Sequence, residues 1–319
     1  MFVKEMKNGD LLEKHILLIK RFDIKTTKAG GVYADILFSD KTGEITAKYW
    51  DIPEKVREAF KVGDIAELSG NVANYRENPQ IIVKTMDTAP ADADSLADLV
   101  ESAPYSSERM YNKIIEVINS VKNDDIRNIT LTILEENKEK LLYYPAAKSF
   151  HHAIRSGLLY HTYTMMRTAS ALSEVYDFLN KDLLFAGVAL HDIGKIKEIT
   201  GEQTGVAREY SAEGKLLGHI TISVCMIDET GKKLNCDPEI IMLLKHMVLS
   251  HHFYPEYGSP ISPMFAEAEI LHHIDVLDAR MDQFRKTTEA TPQKDFSEKV
   301  WILDKRSVYN HALGEEENK

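Results

Sequence analysis

An adjacent histidine and aspartate, His191 and Asp192, stand at the end of an apolar run over 183–190. One imidazole and one carboxylate at a helix end can bind the same metal ion. The dipeptide alone is weak evidence, because a surface or capping pair has the same sequence. His161 and Asp275 strengthen the case, since both lie in apolar helical patterns where a polar side chain needs a partner. These four residues together predict a metal centre.

The order of these four residues resembles the signature of the HD superfamily of metal-dependent phosphohydrolases. The resemblance implies a second group of ligands, because His219 and the pair His251-His252 fall where two-metal members of the superfamily bind their second ion. For any single histidine, a structural role in the core is the alternative. The full predicted set comprises His161, His191, Asp192, His219, His251, His252 and Asp275.

Two divalent ions about 3.5 to 4 Å apart can activate water, orient a phosphate and stabilise the leaving oxygen. Asp192 is the expected bridge between them. Mixed histidine and carboxylate ligands suit manganese, iron, cobalt, nickel or zinc better than magnesium, and manganese is our preferred ion. The family pattern places Lys195, one helical turn beyond Asp192, near the phosphate or the nucleophile. A solvated surface lysine is the alternative.

These ligands require a helical domain to position them. From about residue 106 the apolar residues recur with helical spacing. Asp237-Pro238 and Ser262-Pro263 are typical helix starts, because each has a capping side chain before a first-turn proline. We therefore predict an all-α HD-type domain over 106–313 and a disordered polar tail at 314–319.

Residues 1–90 show a different pattern. Short apolar or alternating runs separated by glycine and aspartate turns predict five strands, and 53–60 predicts a helix between the third and fourth. This arrangement resembles the OB-fold, a small β-barrel. The small, acidic and proline-containing stretch that follows predicts a linker over 91–105. The expected fold is therefore multidomain, with an N-terminal OB-fold barrel followed by the helical domain.

Aromatic residues of the barrel are candidates for substrate binding. OB-folds bind single strands with aromatic rings that stack on bases and with cations along the backbone path. Because strand side chains alternate between faces, about half of the barrel's aromatic residues are expected in its core. The candidates are Tyr33, Tyr49, Trp50 and Tyr75.

The charge distribution bears on the partner. The formal net charge is −11, yet residues 1–90 carry 14 basic and 14 acidic residues, so the excess acidity lies within 91–319. Binding of a nucleic acid by the balanced barrel should be modest and sensitive to salt, while bound divalent ions can attract phosphates to an acidic site. The N-terminus lacks a signal-like apolar core and no apolar run approaches roughly 20 residues, so we expect a cytoplasmic protein without a membrane span.

The chain as a whole is similar to the YhaM-type 3'-to-5' exoribonucleases, and 146–161 and 266–280 carry the resemblance. It implies a metal-dependent hydrolase that shortens single-stranded RNA, or single-stranded DNA, from the 3' end and releases nucleoside 5'-monophosphates. It also implies a homo-oligomer, and 300–303 is a candidate domain or subunit contact, with a plain core helix as the alternative. His151, His152 and Arg155 become candidates for holding the terminal phosphate or sugar, and bracing of the first ligand helix is the alternative.

Two other functions fit parts of the sequence. An HD phosphodiesterase acting on a small nucleotide or cyclic dinucleotide is the first, because 251–258 has some similarity to the His-His and Gly-Tyr-Pro elements of cyclic-di-GMP phosphodiesterases. Gly258, however, does not precede a Tyr-Pro pair, and a barrel would be superfluous for so small a substrate. The second is a non-catalytic single-strand-binding protein, against which the complete ligand set argues.

Overall fold

The computed structural model describes residues 1–76, 78–89, 96, 98–146, 154–201, 204–205, 207–311 and 313. One hydrophobic core fills a barrel and a second, larger core lies among helices. The predicted disordered tail at 314–319 and the candidates His151 and His152 lie outside the described residues. Among the described helices, none is both long enough and apolar enough to cross a membrane.

The N-terminal barrel has the five predicted strands. They close in the order first, second, third, fifth and fourth, with the third and fifth parallel and the other neighbours antiparallel. An α-helix lies between the third and fourth strands, as expected for an OB-fold, which confirms that prediction. The elements are β1 (Leu11–Thr26), β2 (Val32–Asp40), β3 (Gly43–Trp50), α1 (Glu54–Ala59), β4 (Ile65–Tyr75) and β5 (Asn78–Thr88).

The long first strand closes the barrel because it pairs with β4 along its first half and with β2 along its second. Register shifts between Leu12 and His15 and between Ile19 and Arg21 interrupt these ladders. Such bulges bend a strand and increase its twist, which is what closure requires. On β4, a Cβ at Gly70 would overlap the carbonyl group of Ile82 in β5, so only glycine permits this close approach of the two strands.

The helical domain is built around α6, whose residues 183–190 are all buried. A short antiparallel hairpin, β6 (Ile199–Gly201) and β7 (Ala207–Tyr210), interrupts the helices, and the helical pattern did not predict it. The helices are α2 (Ser107–Asn119), α3 (Asp124–Glu136), α4 (Lys138–Leu141), α5 (Gly157–Val175), α6 (Lys181–Leu190), α7 (Lys195–Glu198), α8 (Ala212–Lys233), α9 (Pro238–Ser250) and α10 (Ala266–Ala290).

One of the two predicted helix starts is confirmed. The Asp237 side chain accepts a hydrogen bond from the Glu239 N–H, and Pro238 is the first residue of α9. The start predicted at Ser262-Pro263 is wrong, because α10 begins at Ala266. The N–H of Met264 donates to His246 Nε2, and this tertiary hydrogen bond holds the preceding segment outside the helix.

Part of the predicted linker contacts both domains. Leu99 and Val100 pack against Leu18 and Ile65 of the barrel. Beyond them the chain is hydrogen bonded to the helical domain, since the Arg155 N–H donates to the Glu101 carbonyl and the Ala103 N–H donates to the Arg155 carbonyl. These residues therefore connect the barrel to the helices through a packed surface as well as through the chain. The predicted apolar segment at 300–303 contains a short 3-10 helix, Trp301–Leu303, with Trp301 exposed and Leu303 buried.

Candidate metal centre

The structure brings all seven predicted ligands together. His161 comes from α5, Asp275 from α10 and His219 from α8, while the pairs His191-Asp192 and His251-His252 follow the C-terminal ends of α6 and α9. Their ligand atoms form two groups, within each of which all atoms lie within 4.8 Å of one another. One group contains His161, His191 and Asp275, and the other contains Asp192, His219, His251 and His252.

The first group is deeply buried. His161 Nε2 lies 3.2 Å from Asp275 Oδ1 and 3.3 Å from His191 Nε2. His191 Nε2 in turn lies 3.3 Å from Asp192 Oδ2. Two nitrogen atoms and one oxygen atom that could coordinate a metal ion therefore converge on one point, together with one oxygen of Asp192.

Asp192 faces both groups, one with each carboxylate oxygen. Its Oδ2 lies beside the first group, whereas its Oδ1 lies 3.4 Å from His219 Nε2 and 3.9 Å from His251 Nε2. A carboxylate with one oxygen toward each of two cation sites is the arrangement of a bridging ligand. Asp192 therefore lies between the two groups, and its role as a bridge between two ions stays a prediction.

Each ligand histidine is oriented in the same way, with Nδ1 beside an oxygen and Nε2 directed into the site. Carbonyl oxygens and carboxylates only accept hydrogen bonds, so Nδ1 donates, and Nε2 is the nitrogen whose electron pair can coordinate a metal ion once the ring is neutral. The Nδ1 partners are Asp278 for His161, Val188 for His191, Glu198 for His219, Val248 for His251 and Tyr257 for His252, at 2.6 to 3.2 Å.

The ends of α6 and α9 use the same local structure. His191 and His251 are the C-cap residues of these helices, and each donates Nδ1–H to the carbonyl oxygen three residues earlier. This bond satisfies a carbonyl group at the helix end and fixes the ring. The following residue, Asp192 or His252, is then delivered to the centre by the turn.

The helix that carries His219 is kinked. Gly218 has non-helical angles, φ 71° and ψ 157°, inside α8. Just beyond the kink, the backbone N–H of His219 donates to Glu198 Oε1 at 3.0 Å, and the same oxygen lies 3.2 Å from His219 Nδ1. Glu198 therefore holds both the backbone and the ring of His219.

A close backbone contact joins this helix to the His-Asp turn. A Cβ at Gly194 would overlap the His219 carbonyl oxygen, and the Gly194 N–H donates to Ser223 Oγ at 2.8 Å. Only glycine allows α8 to lie this close to the turn. This contact places His219 within reach of Asp192.

Three buried atoms of the second group test whether a cation fits. Asp192 Oδ1, His219 Nε2 and His251 Nε2 have no hydrogen-bond partner among the described residues. Buried polar atoms without partners carry a substantial free-energy cost, and these three face one another. A divalent ion coordinated by all three would remove that cost, so the residues fit a metal ion.

Burial and neighbouring charges set the protonation of the ligands. Burial lowers the pKa of His251 and His252, which favours the neutral ring that coordinates metal. Burial opposes ionisation of Asp192, but the charges of Lys195 and His191 outweigh it and keep its pKa well below the usual range. Burial likewise opposes a charge on His161, yet hydrogen bonds to Asp275 and Asp278 raise the pKa of His161 to about 10.

Lys195 is part of the buried centre. Its side chain is largely inaccessible, and its Nζ donates to Asp192 Oδ2 at 2.7 Å. Burial opposes its charge, but Asp192 raises the pKa of Lys195 above its ordinary value. The alternative of a solvated surface lysine is therefore wrong.

Two residues of the site were absent from the predicted set. Asp278 lies 2.7 Å from His161 Nδ1, and Glu198 holds His219 as described. A sequence signal existed for both, because each lies three residues beyond a predicted site residue on the same helix, where side chains share a face. Asp278 follows Asp275 in this way, and Glu198 follows Lys195.

On the barrel, the aromatic candidates separate by face. Tyr33 and Trp50 pair across β2 and β3 with ring centroids 4.8 Å apart, and Trp50 is half exposed. Tyr75 is exposed with the Arg76 guanidinium 5.4 Å from its ring. Tyr49 points into the barrel core, which corrects its inclusion among residues available for stacking. The alternation of side chains along β3 explains this, since Trp50 and Tyr49 are neighbours on one strand.

The Asp35 carboxylate partly neutralises the positive charge beside Tyr33 and Trp50. Lys48 lies over the Tyr33 ring at 5.2 Å, but its Nζ is also 2.9 Å from Asp35 Oδ1. Lys25 binds the other oxygen of Asp35 at 2.5 Å. The surface thus offers aromatic rings beside two lysines that share one carboxylate, and modest, salt-sensitive binding of a polyanion stays a prediction.

Comparison with known proteins places the chain in a family. A model described as "HD domain" matches residues 158–280, a range that contains all seven predicted ligands. A protein named 3'-5' exoribonuclease YhaM from Geobacillus sp. (strain WCH70) is 40% identical over 92% of this chain and 90% of its own. A protein of the same name from Listeria welshimeri is 39% identical over 92% of this chain and 93% of its own.

A solved structure, the second OB-fold domain of replication protein A from Methanococcus maripaludis, aligns with 27% of this chain and 95% of its own at 23% identity and a TM-score of 0.21. The two exoribonuclease relatives extend through both the barrel and the helical domain, since they align over nearly their entire lengths. The chain belongs to the YhaM family of 3'-5' exoribonucleases, which contain an HD domain.

Proposed function

We propose that this protein is a metal-dependent 3'-to-5' exonuclease that removes nucleoside 5'-monophosphates from single-stranded RNA. The observation that supports this most directly is the Asp192 carboxylate, whose two oxygens face two separate groups of buried ligands. This is the geometry needed for hydrolysis of a phosphodiester with two metal ions. The names of the two relatives supply the polarity and the class of substrate.

The proposed centre holds two divalent ions, with manganese favoured by the mixed imidazole and carboxylate donors. His161, His191 and Asp275 would hold one ion, and His219, His251 and His252 the other, with Asp192 between them. Bound ions would supply activation of water and neutralisation of phosphate charge. The protein's own contribution is to direct each Nε2 inward through its Nδ1 hydrogen bond and, at His251 and His252, to favour the neutral ring by burial.

Lys195 has a positioning role in this proposal. Its ammonium group lies 2.7 Å from Asp192 Oδ2, so it holds the carboxylate and favours its ionised form. It also places a buried positive charge beside the position where phosphate charge would develop. Arg155, whose backbone is bound to the segment after the barrel, is a proposed contact for the terminal nucleotide together with His151 and His152.

The barrel is the proposed guide for the single strand. Tyr33 and Trp50 provide a paired aromatic surface, and Tyr75 with Arg76 provides a second. Stacking on aromatic rings tolerates any base, which suits an enzyme that degrades RNA of varied sequence.

The activity is tested with a 5'-labelled single-stranded RNA, incubated with manganese and sampled over time. We expect a ladder that shortens from the 3' end, with nucleoside 5'-monophosphates as products. The Asp192→Ala variant should abolish turnover while leaving the circular dichroism spectrum unchanged, because it removes the one carboxylate shared by both ligand groups.

A chelator provides the second control and should stop the wild-type reaction. Retained cleavage by the Asp192→Ala variant would contradict the two-ion proposal. Cleavage of free nucleotides or cyclic dinucleotides without shortening of RNA would instead favour a small-substrate phosphodiesterase.

Glu198→Ala should weaken manganese binding by about 10- to 100-fold, the usual effect of losing a residue that orients a metal ligand. Glu198→Gln keeps a hydrogen-bond acceptor for His219, so this variant should lose less affinity for manganese. Calorimetric titration with manganese measures both. Glu269→Ala is a matched control, because Glu269 binds the exposed His273 at 3.1 Å in an equivalent pair outside the centre. Wild-type affinity in Glu198→Ala would show that His219 is oriented without Glu198.

Trp50→Ala should weaken single-stranded RNA binding by on the order of tenfold, since stacking of one base contributes about 1–3 kcal/mol. Fluorescence anisotropy at several salt concentrations measures the change, with a chelator present to prevent cleavage. Trp301→Ala removes the other, also exposed, tryptophan and should bind as wild type does. Equal affinity of the Trp50→Ala variant and the wild type would exclude Trp50 from the RNA path.

A further inference from the structure

The proposed metal centre opens at one ligand. The His252 side chain is 23% exposed, whereas that of His219 is 14%, that of Asp275 is 13% and those of the other four ligands are 3% or less. Among the seven candidate ligands, His252 is therefore the most accessible to an approaching substrate. The residues that surround this opening would contact whatever nucleotide is being removed.

The loop that follows His252 is bound tightly to this ligand. The backbone N–H of His252 donates to Ser259 Oγ at 3.0 Å, and its Nδ1–H donates to the Tyr257 carbonyl oxygen at 2.6 Å. The Tyr254 N–H donates to the His252 carbonyl oxygen at 2.7 Å. The loop also lies beside His219, because a Cβ at Gly258 would contact Ile220. Its position is thus fixed relative to the metal ligands.

The backbone of this loop directs one aromatic ring inward and two outward. Phe253 has φ 66°, a left-handed conformation that is rare for a large side chain, and its ring packs against buried His272 at 5.2 Å. Tyr254 and Tyr257, separated by Pro255 at the start of a 3-10 turn, are instead 51% and 69% exposed. Strained backbone at such a position is frequently retained for function.

The two exposed rings form a pair. Their centroids are 6.0 Å apart and their planes are inclined by 83°, so one ring presents its edge to the other. Exposed aromatic residues grouped beside a binding site often mark a recognition surface. Neither the predicted substrate residues nor the seven metal ligands include them.

We infer that Tyr254 and Tyr257 form a stacking subsite for the base of the 3'-terminal nucleotide. This inference rests on the proposed exonuclease function. The base is the occupant that fits, because the loop is hydrogen bonded directly to His252, a proposed ligand of the metal ion at which the phosphate would react, and a nucleotide carries its base one sugar away from that phosphate. A stacking contact reads no particular base, so the subsite accepts any of the four.

The test compares initial cleavage rates of two RNA substrates, one with a normal 3'-terminal nucleotide and one with an abasic 3' terminus. Wild type should cleave the normal end faster by on the order of tenfold, the value of one stacked base. In Tyr254→Ala/Tyr257→Ala this ratio should fall toward one. Tyr254→Phe/Tyr257→Phe should retain it, because the rings remain, and its failure to do so would overturn the stacking role.

A matched control is available at the C-terminal end of α5. Tyr176 and Phe178 form an exposed pair with centroids 6.2 Å apart, inclined by 69°, on the same domain. Tyr176, the C-cap residue of α5, lies about 22 Å along the helix from His161, at 1.5 Å per residue. Tyr176→Ala/Phe178→Ala should keep the wild-type ratio.

A stopped-flow measurement reports stacking directly, with 2-aminopurine as the 3'-terminal base. Its fluorescence should fall on binding before the nucleotide is released in wild type, and this phase should disappear in Tyr254→Ala/Tyr257→Ala. An unchanged rate ratio and an unchanged quenching phase in that variant would overturn the inference while leaving the exonuclease activity intact. Failure of wild type to shorten either RNA would instead overturn the proposed function.

Discussion

The candidate metal centre is organised around one buried carboxylate, Asp192, surrounded by imidazoles. A charged group in a protein interior is stable only when it is paired and hydrogen bonded. Lys195 supplies part of that pairing through Oδ2, but Oδ1 has no hydrogen-bond partner among the described residues. The need to compensate this charge explains why the ends of two helices and the interior of three others meet at a single point of the helical domain.

The surrounding fold can be understood as the means of orienting these ligands. α6 and α9 end in the same way, with a C-cap histidine bonded back to its own helix, so each delivers two consecutive ligands. The kink at Gly218 turns α8 so that Glu198 can hold both the backbone and the ring of His219. Small residues at contact points, Gly194 above all, let these backbones approach closely enough for the ligand groups to share Asp192. The barrel is separate from this chemistry and offers an aromatic surface at a different part of the chain.

The sequence predicted the fold and the residues that converge in the helical domain, because both have strong local patterns. Alternation and turn residues predicted the five strands, and a characteristic order of histidines and aspartates indicated the candidate ligands. Residues whose role depends on tertiary contact were harder. Glu198 and Asp278 have no special spacing apart from a shared helix face, and the start of α10 moved to Ala266 because of the hydrogen bond between Met264 and His246. Tyr49 and Trp50 are neighbours, and only the closed barrel decides which of them is in the core.

Asp192 is proposed to lie between two cation sites, and anomalous X-ray scattering from crystals grown with manganese tests this arrangement most directly. Two peaks are predicted, one among His161, His191 and Asp275 and the other among His219, His251 and His252, with an oxygen of Asp192 beside each. A single peak at full occupancy, or peaks that Asp192 does not contact, would contradict the account.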